Sequence, residues 1–219
     1  MGTILASKIL ADVGILINEV TPSKWPDSER LRWLNLGQRA SAILKPDISV
    51  STSTIILVAG TKQALGATAT QLIKITRNMG TDGLTPGDII PKIEMALLDR
   101  INPSWHTATA SATIESYLYD VDIDPKVFYV SPPQPSSGFG YVEKIEAVTP
   151  TDIAGTSNVI NIDDIYESAL VAFTAGMCLS KLSAHSVEAQ STASGFFETF
   201  ATMLGRKDQA ESVQKQYGG

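Results

Sequence analysis

The chain has 219 residues, of which 43% are hydrophobic and 18% charged, and a formal net charge of -6; its isoelectric point lies near 4.9. That length accommodates one large domain, or a core domain carrying a substantial insertion, and the composition excludes fibrous and membrane-spanning classes. The acidic balance argues against wrapping nucleic acid, because duplex binding is driven by Lys and Arg displacing counterions from phosphate.

Residues 1–20 are apolar enough to suggest a leader, but Lys8, Asp12 and Glu19 interrupt them and no charged segment precedes them. Apolar residues at Ile9, Val13, Leu16, Ile17 and Val20 follow helical spacing, which predicts a first helix over about 3–20. Pro22 and Pro26 punctuate the link to a second helix. Pro26 suits its first position, Asp27 and Glu29 complement the helix dipole, and Leu31, Leu34, Ala40 and Leu44 turn inward until Pro46 ends it.

From Val50 the texture changes to Ser-Thr-Ser-Thr-Ile-Ile-Leu-Val58, where β-branched residues dominate. Strands are predicted over about 53–59, 70–77, 111–120, 126–131 and 140–148, separated by Gly, Pro, Asp and Asn clusters. A short helical piece, Glu94 to Ile101, interrupts them. Asp120 to Pro125, between Tyr117/Tyr119 and Phe128/Tyr129, reads as a hairpin connection.

Helical spacing returns at Asn161, with Ile162, Ile165, Ala169, Ala172, Phe173 and Gly176 facing one way and Asn161 or Asp163 available as an N-cap, to about Leu182. A fourth helix from about Val187 carries Ala189, Ala193, Phe196, Phe197, Phe200 and Leu204 on one stripe. The expected fold class is therefore α+β: a discontinuous four-helix bundle, with two N-terminal and two C-terminal helices, and a central β-rich insertion. The helical part takes residues 1–48 and 160–219, the insertion takes 49–159, and 206–219 form an extended polar tail.

Little in the sequence points to catalysis. Asp120, Asp122 and Asp124 have the opening spacing of a calcium loop, but Pro125 stands where the turn glycine belongs and Ser131 where the closing Glu belongs, so they read as solvated hairpin acids. Gly80-Thr-Asp-Gly83 with Gly87 lacks the lysine of a phosphate loop and reads as a turn. His106 and His185, the only histidines, sit in no nucleophile–base motif. Cys178 stands alone, which excludes an intrachain disulfide and a cysteine-based zinc site, and its Ala/Gly-rich helix favours a small buried hydrophobe. Trp25, Trp33 and Trp105 offer contact area rather than chemistry. No catalytic residue, metal ligand or cofactor is assigned.

Several motifs occur in an order that resembles a known family. Trp25-Pro26, Leu31-Arg-Trp33-Leu-Asn35-Leu-Gly37-Gln38-Arg39-Ala40 and Leu44-Lys-Pro46-Asp47 are similar to the opening of the phage adaptor proteins of head-to-tail connectors. Val58-Ala-Gly60-Thr61-Lys62-Gln63, Arg77-Asn78-Met79-Gly80, Asn102-Pro103-Ser-Trp105, Pro125-Lys-Val-Phe128-Tyr129-Val-Ser-Pro132-Pro133 and Ile162-Asp163-Asp164-Ile165-Tyr166 continue the agreement over about residues 4–204. The resemblance implies a non-enzymatic virion subunit, made in the host cytoplasm, that forms a homo-oligomeric, dodecameric ring beneath the portal protein. Such a ring meets a tail or nozzle protein on its other face, and double-stranded DNA passes through without specific binding. Arg206, Lys207, Gln214 and Tyr217 are the candidate portal contacts. A neck-completion or tail-tube protein is the neighbouring reading. A carboxylate-dependent hydrolase using Asp120, Asp122 and Asp124, and a carbohydrate-binding module using the central strands and Trp105, are the alternatives of a different class.

Overall fold

The computed structural model describes residues 2–19, 24–182 and 186–205. Among the described residues the fold is a mixed α and β structure with five α-helices and two small antiparallel sheets. It divides into two compact units, one built from the residues through Ser49 together with those from Pro150 onward, the other from Val50–Thr149.

The first unit holds α1 (Ala6–Leu16), α2 (Asp27–Leu44), α4 (Glu167–Ser180) and α5 (Val187–Met203). α1 buries Ala6, Ile9, Leu10 and Val13; of the predicted stripe Ile9 and Val13 turn inward, while Leu16 is exposed. It is shorter than the expected 3–20 at both ends. Residues before it are extended: Leu5 bridges Val159 and the Ile160 N–H donates to the Ile4 carbonyl. After Leu16, Asn18 adopts a left-handed φ of 55°, a conformation Asn tolerates and a helix does not continue through. Pro26 lies just outside α2 as its N-cap, leaving Asp27 and Glu29 in the first turn.

α4 begins at Glu167 rather than at Asn161, because the residues before it are committed elsewhere. The Asn161 N–H donates to Gln38 Oε1 at 2.7 Å and its side-chain amide donates to the Thr151 carbonyl. Asp163 caps a single 3-10 turn, Asp164–Tyr166, by accepting from the Ile165 N–H at 3.0 Å. Ile165, expected to face inward, is therefore exposed. α4 is buried nearly all round and packs on α1, α2 and α5. Gly37 of α2 lets it approach closely, since a Cβ there would stand 2.9 Å from the Phe173 ring.

In the second unit the sheets have strand orders β1-β6-β3 and β2-β5-β4, with β1 Val50–Ile56, β2 Gly60–Ala64, β3 Ala69–Asn78, β4 Ser116–Leu118, β5 Val127–Gln134 and β6 Tyr141–Val148. The first strand starts three residues before its predicted position, at Val50. β2 is not among the predicted strands; Gly60 at its start takes φ 89°, and the register with β5 shifts between Gly60 and Lys62. The predicted strand over 111–120 shrinks to Ser116–Leu118, its earlier residues being held by the Asn78 and Gln134 side chains and by separate backbone bonds from the Ser111 and Glu115 N–H groups to β5. α3 (Met95–Ile101) forms where the short helical piece is expected, with Glu94 as its N-cap. The Asp120–Pro125 segment connects antiparallel β4 and β5, as a hairpin must. Residues 88–93 tie the two sheets together, bridging β3 at Arg77–Ile89 and β4 at Lys92–Tyr117. The core is Leu57, Leu72, Ile75, Ile90, Ile114, Phe128, Val130 and Val142, with Tyr117 at its edge.

Candidate interaction surface

Several of the residues weighed for chemistry make structural bonds. Asp120 Oδ1 accepts from the Asp122 N–H at 3.0 Å, and Asp124 Oδ1 from the Lys126 N–H at 2.9 Å. These are local turn bonds of the kind Asp makes in hairpin connections. Among the described residues no group of three or more His, Cys, Asp or Glu could hold a metal ion. In the glycine-rich stretch, Gly80 and Gly83 take φ of 63° and 71°, and Asp82 accepts from the Leu84 and Thr85 N–H groups and the Thr85 hydroxyl. Those donors, Leu84 first, hold the Asp82 carboxyl below its ordinary value. The loop is a turn.

His106 stacks on Trp105 with ring centroids 3.7 Å apart, and its Nδ1 lies 2.8 Å from the Thr61 hydroxyl. Trp105 itself is fully buried and donates from Nε1 to Asp99 at 2.7 Å, so it presents no platform for a sugar. Trp25 is buried as well. Cys178 is buried, and desolvation pushes its thiol up to about 12, far from the thiolate a nucleophile requires. His185, and the portal-contact candidates Arg206, Lys207, Gln214 and Tyr217, lie outside the described residues.

The motif residues have a common task instead. Asn35 Oδ1 accepts from the Ile153 N–H at 2.8 Å while its Nδ2 donates to the Ile153 carbonyl at 3.0 Å. Asn78 grips Ile114 in the same two-point fashion, at 2.9 and 2.8 Å, and Gln63 grips Val58, both bonds 2.8 Å. An amide side chain carries one acceptor and one donor at the spacing of a peptide group, so it substitutes for a neighbouring strand where no ladder exists. Gln134 does this between two segments, donating to the Ser111 carbonyl and accepting from the Gly140 N–H. Asn35, Gly37, Gln38, Gln63 and Asn78 all belong to the ordered motifs, which are therefore fold-specifying.

The surface feature that the motif search missed is an open apolar groove of about 650 Å³ in the helical unit, lined by α2, α4 and α5. Leu36 and Ile43, 41% and 78% exposed, stand on one wall; Phe197 stands on the other and Phe173 on the floor. The signal was present in α2 as a second stripe, Leu36, Ala40, Ile43 and Leu44, displaced from the inward face of Leu34, Gly37 and Ser41. Among the described residues no helix is long and apolar enough to cross a membrane. Compared with known proteins, the chain matches the family model described as SU10 adaptor protein over residues 5–217. No curated protein matches it.

Proposed function

The chain belongs to the SU10 adaptor protein family, and from that premise we propose that it is a structural, non-enzymatic head-to-tail adaptor subunit of a phage neck. The observation that carries this reading is the span of the match, which takes in both compact units rather than one of them. The subunit forms a homo-oligomeric ring beneath the portal, as part of the virion, and DNA passes through it. The helices α1, α2, α4 and α5 act as a four-helix bundle that builds the ring and meets the portal, while the β unit faces the tail or nozzle protein.

Physical grounds support each part. A ring closes through heterologous contacts, so one subunit must offer two different faces. The helical unit has exposed apolar residues to spend on them, including Ile15 and Leu16 on α1, Ile43 on α2 and Val187 on α5. A channel for DNA must not grip phosphate, and a subunit of net charge -6 suits a repelling lumen. The polar segment with Arg206, Lys207, Gln214 and Tyr217 contacts the portal.

The test is a mass measurement of the purified chain alone and with its cognate portal, followed by imaging of the product. A ring of this subunit seated on the portal is the expected result, and loss of attachment on deleting residues 206–219 would support the tail assignment. A chain that never associates with the portal would refute the adaptor role. A lumen lined mainly by Lys and Arg would refute the electrostatic argument alone.

A further inference from the structure

Among the described residues the two sheets have four edge strands, β1, β3, β2 and β4, and three of them are defended. Residues 87–90 bond to β3 at Thr76 and Asn78. β4 is three residues long, and its Tyr117 exchanges bonds with Pro91 and Ile93. β2 carries exposed Lys62 beside a break in register. Charge, bulges, shortness and cover are the means by which sheets keep their edges from pairing with other chains. β1 has none of these. It is the outer strand of the order β1-β6-β3, runs for seven residues in one unbroken register with β6, and holds no charged residue and no proline. The Leu57 N–H donates to the Gly140 carbonyl, one step beyond the Ile56–Tyr141 pair. Bonded and non-bonded pairs alternate in an antiparallel ladder, so Ser51, Ser53 and Ile55 also bond to β6. Val50, Thr52, Thr54 and Ile56 then turn their N–H and carbonyl groups to the open side, where no backbone partner meets them among the described residues.

The open edge is complementary to itself. With Ser53 set against Ser53 of a second copy, antiparallel pairing places Val50 opposite Ile56 and Thr52 opposite Thr54, and the two-fold axis repeats both pairs. Aliphatic β-branched residues then face each other and Thr faces Thr, pairings that stabilise sheets. Sliding the second copy by two residues either way leaves an end residue unpaired, so this register alone satisfies every outward group. The four side chains are exposed, Val50 and Ile56 by 47% and 52%. We propose that β1 is a docking edge for β1 of a second copy, joining two β units through one continuous sheet. It is strand addition between identical chains. A second copy is favoured over a foreign strand because the matched pairs come from this sequence itself. The inference goes beyond the adaptor role: it concerns the free subunit, and portal capture is not among its readouts, so the two stand or fall separately.

Three full chains test it. One is the wild type; one carries Thr52→Lys with Thr54→Lys, which sets lysine against lysine at both central pairs; one carries Thr52→Lys with Thr54→Asp, which sets lysine against aspartate there. Mass is followed across a range of concentrations, and amide exchange is read residue by residue. The wild type should approach twice its mass and stop, because isologous pairing is closed. As it does so, the Thr52, Thr54 and Ile56 amides should slow by about tenfold, while Ser53 and Ile55, bonded to β6, are slow throughout. The two lysines should weaken the dimer by about tenfold. The lysine–aspartate protein should regain it, which also shows that a charged β1 still folds. A wild type that keeps the mass of one chain at every concentration would overturn the proposal and leave the edge to a strand of another protein. So would a mass that climbs past two chains, a dimer that all three proteins form alike, or equal weakening in the two charged variants.

Discussion

Asn35 shows how much one side chain can be asked to hold. It satisfies both backbone groups of Ile153 and accepts from Gln38 Nε2, while Gln38 Oε1 receives the Asn161 N–H. Asn35→Leu keeps the bulk and leaves a buried N–H and carbonyl without partners, so it should cost about 2–3 kcal/mol in urea unfolding; a loss under about 0.5 kcal/mol would show that water replaces the amide. Asp164 works at the other end of the same unit. It accepts from the Thr3 hydroxyl at 2.6 Å, the Thr3 N–H at 2.7 Å and the Ile4 N–H at 3.2 Å. The Thr3 hydroxyl first, then its N–H, hold the Asp164 carboxyl below its ordinary value. A depressed carboxylate contributes stability above its unfolded pKa of about 4, and that contribution is lost as pH falls through the folded value. Asp164→Asn should therefore destabilise at pH 7, and the gap to wild type should narrow below about pH 4. Thermal unfolding across pH reads this directly, and a gap that widens on acidification would contradict it.

Between elements, the contact of α2 with α4 is set by size at Gly37. A Cβ there meets the Phe173 ring edge at 2.9 Å and Leu170 at 3.4 Å. Two terms oppose each other on Gly37→Ala: the helix gains about 1 kcal/mol of propensity, while a ring edge must give way by a few tenths of an ångström. The expected outcome is near-neutral stability. Gly37→Leu has no such compensation, and overpacking should cost about 1–3 kcal/mol with a lowered midpoint in thermal unfolding. Equal stability of the Gly and Leu proteins would mean that the helices part freely. Helix existence was legible at this scale because α1, α2 and α5 carry apolar stripes of period 3.6, while α4 is a long apolar run buried nearly all round. Helix ends were not. α1 and α4 both start late because residues 2–5 and 158–162 pair with each other and with α2 through long-range bonds, which no local pattern records.

At the scale of the molecule, each unit owns a core: Ile9, Leu34, Ile160 and Leu170 lie in the helical one, Leu72, Phe128 and Val142 in the other. Val50 and Ala147 are direct antiparallel partners about 5 Å apart, so the β unit enters and leaves on neighbouring strands. A fragment of residues 50–149 should therefore fold alone, with a cooperative thermal transition and dispersed amide resonances. A fragment that stays unfolded would show that its core depends on the helical segments. The candidate surface was only partly legible for a related reason. Leu36 and Ile43 look like ordinary helix residues until three helices are placed around them, and Trp105 looks available until Asp99 and the surrounding packing close over it.

Sequence alone determined that the chain alternates between helical and β-rich texture, because residue spacing of 3.6 and clusters of β-branched side chains are local properties of the polymer. It also determined the resemblance to phage adaptors, through motifs whose Asn35, Gln63 and Asn78 turn out to staple backbone. Only the tertiary structure decided which faces stay uncovered, where strands end, and that residues 150–160 pack with the helices through Ile153 and Ile160. These depend on contacts between residues more than 100 positions apart, such as Asn35 with Ile153 and Thr3 with Asp164. Such pairs form only when the whole unit offsets the entropy of closing so long a loop, and that balance is not written in any short stretch of sequence.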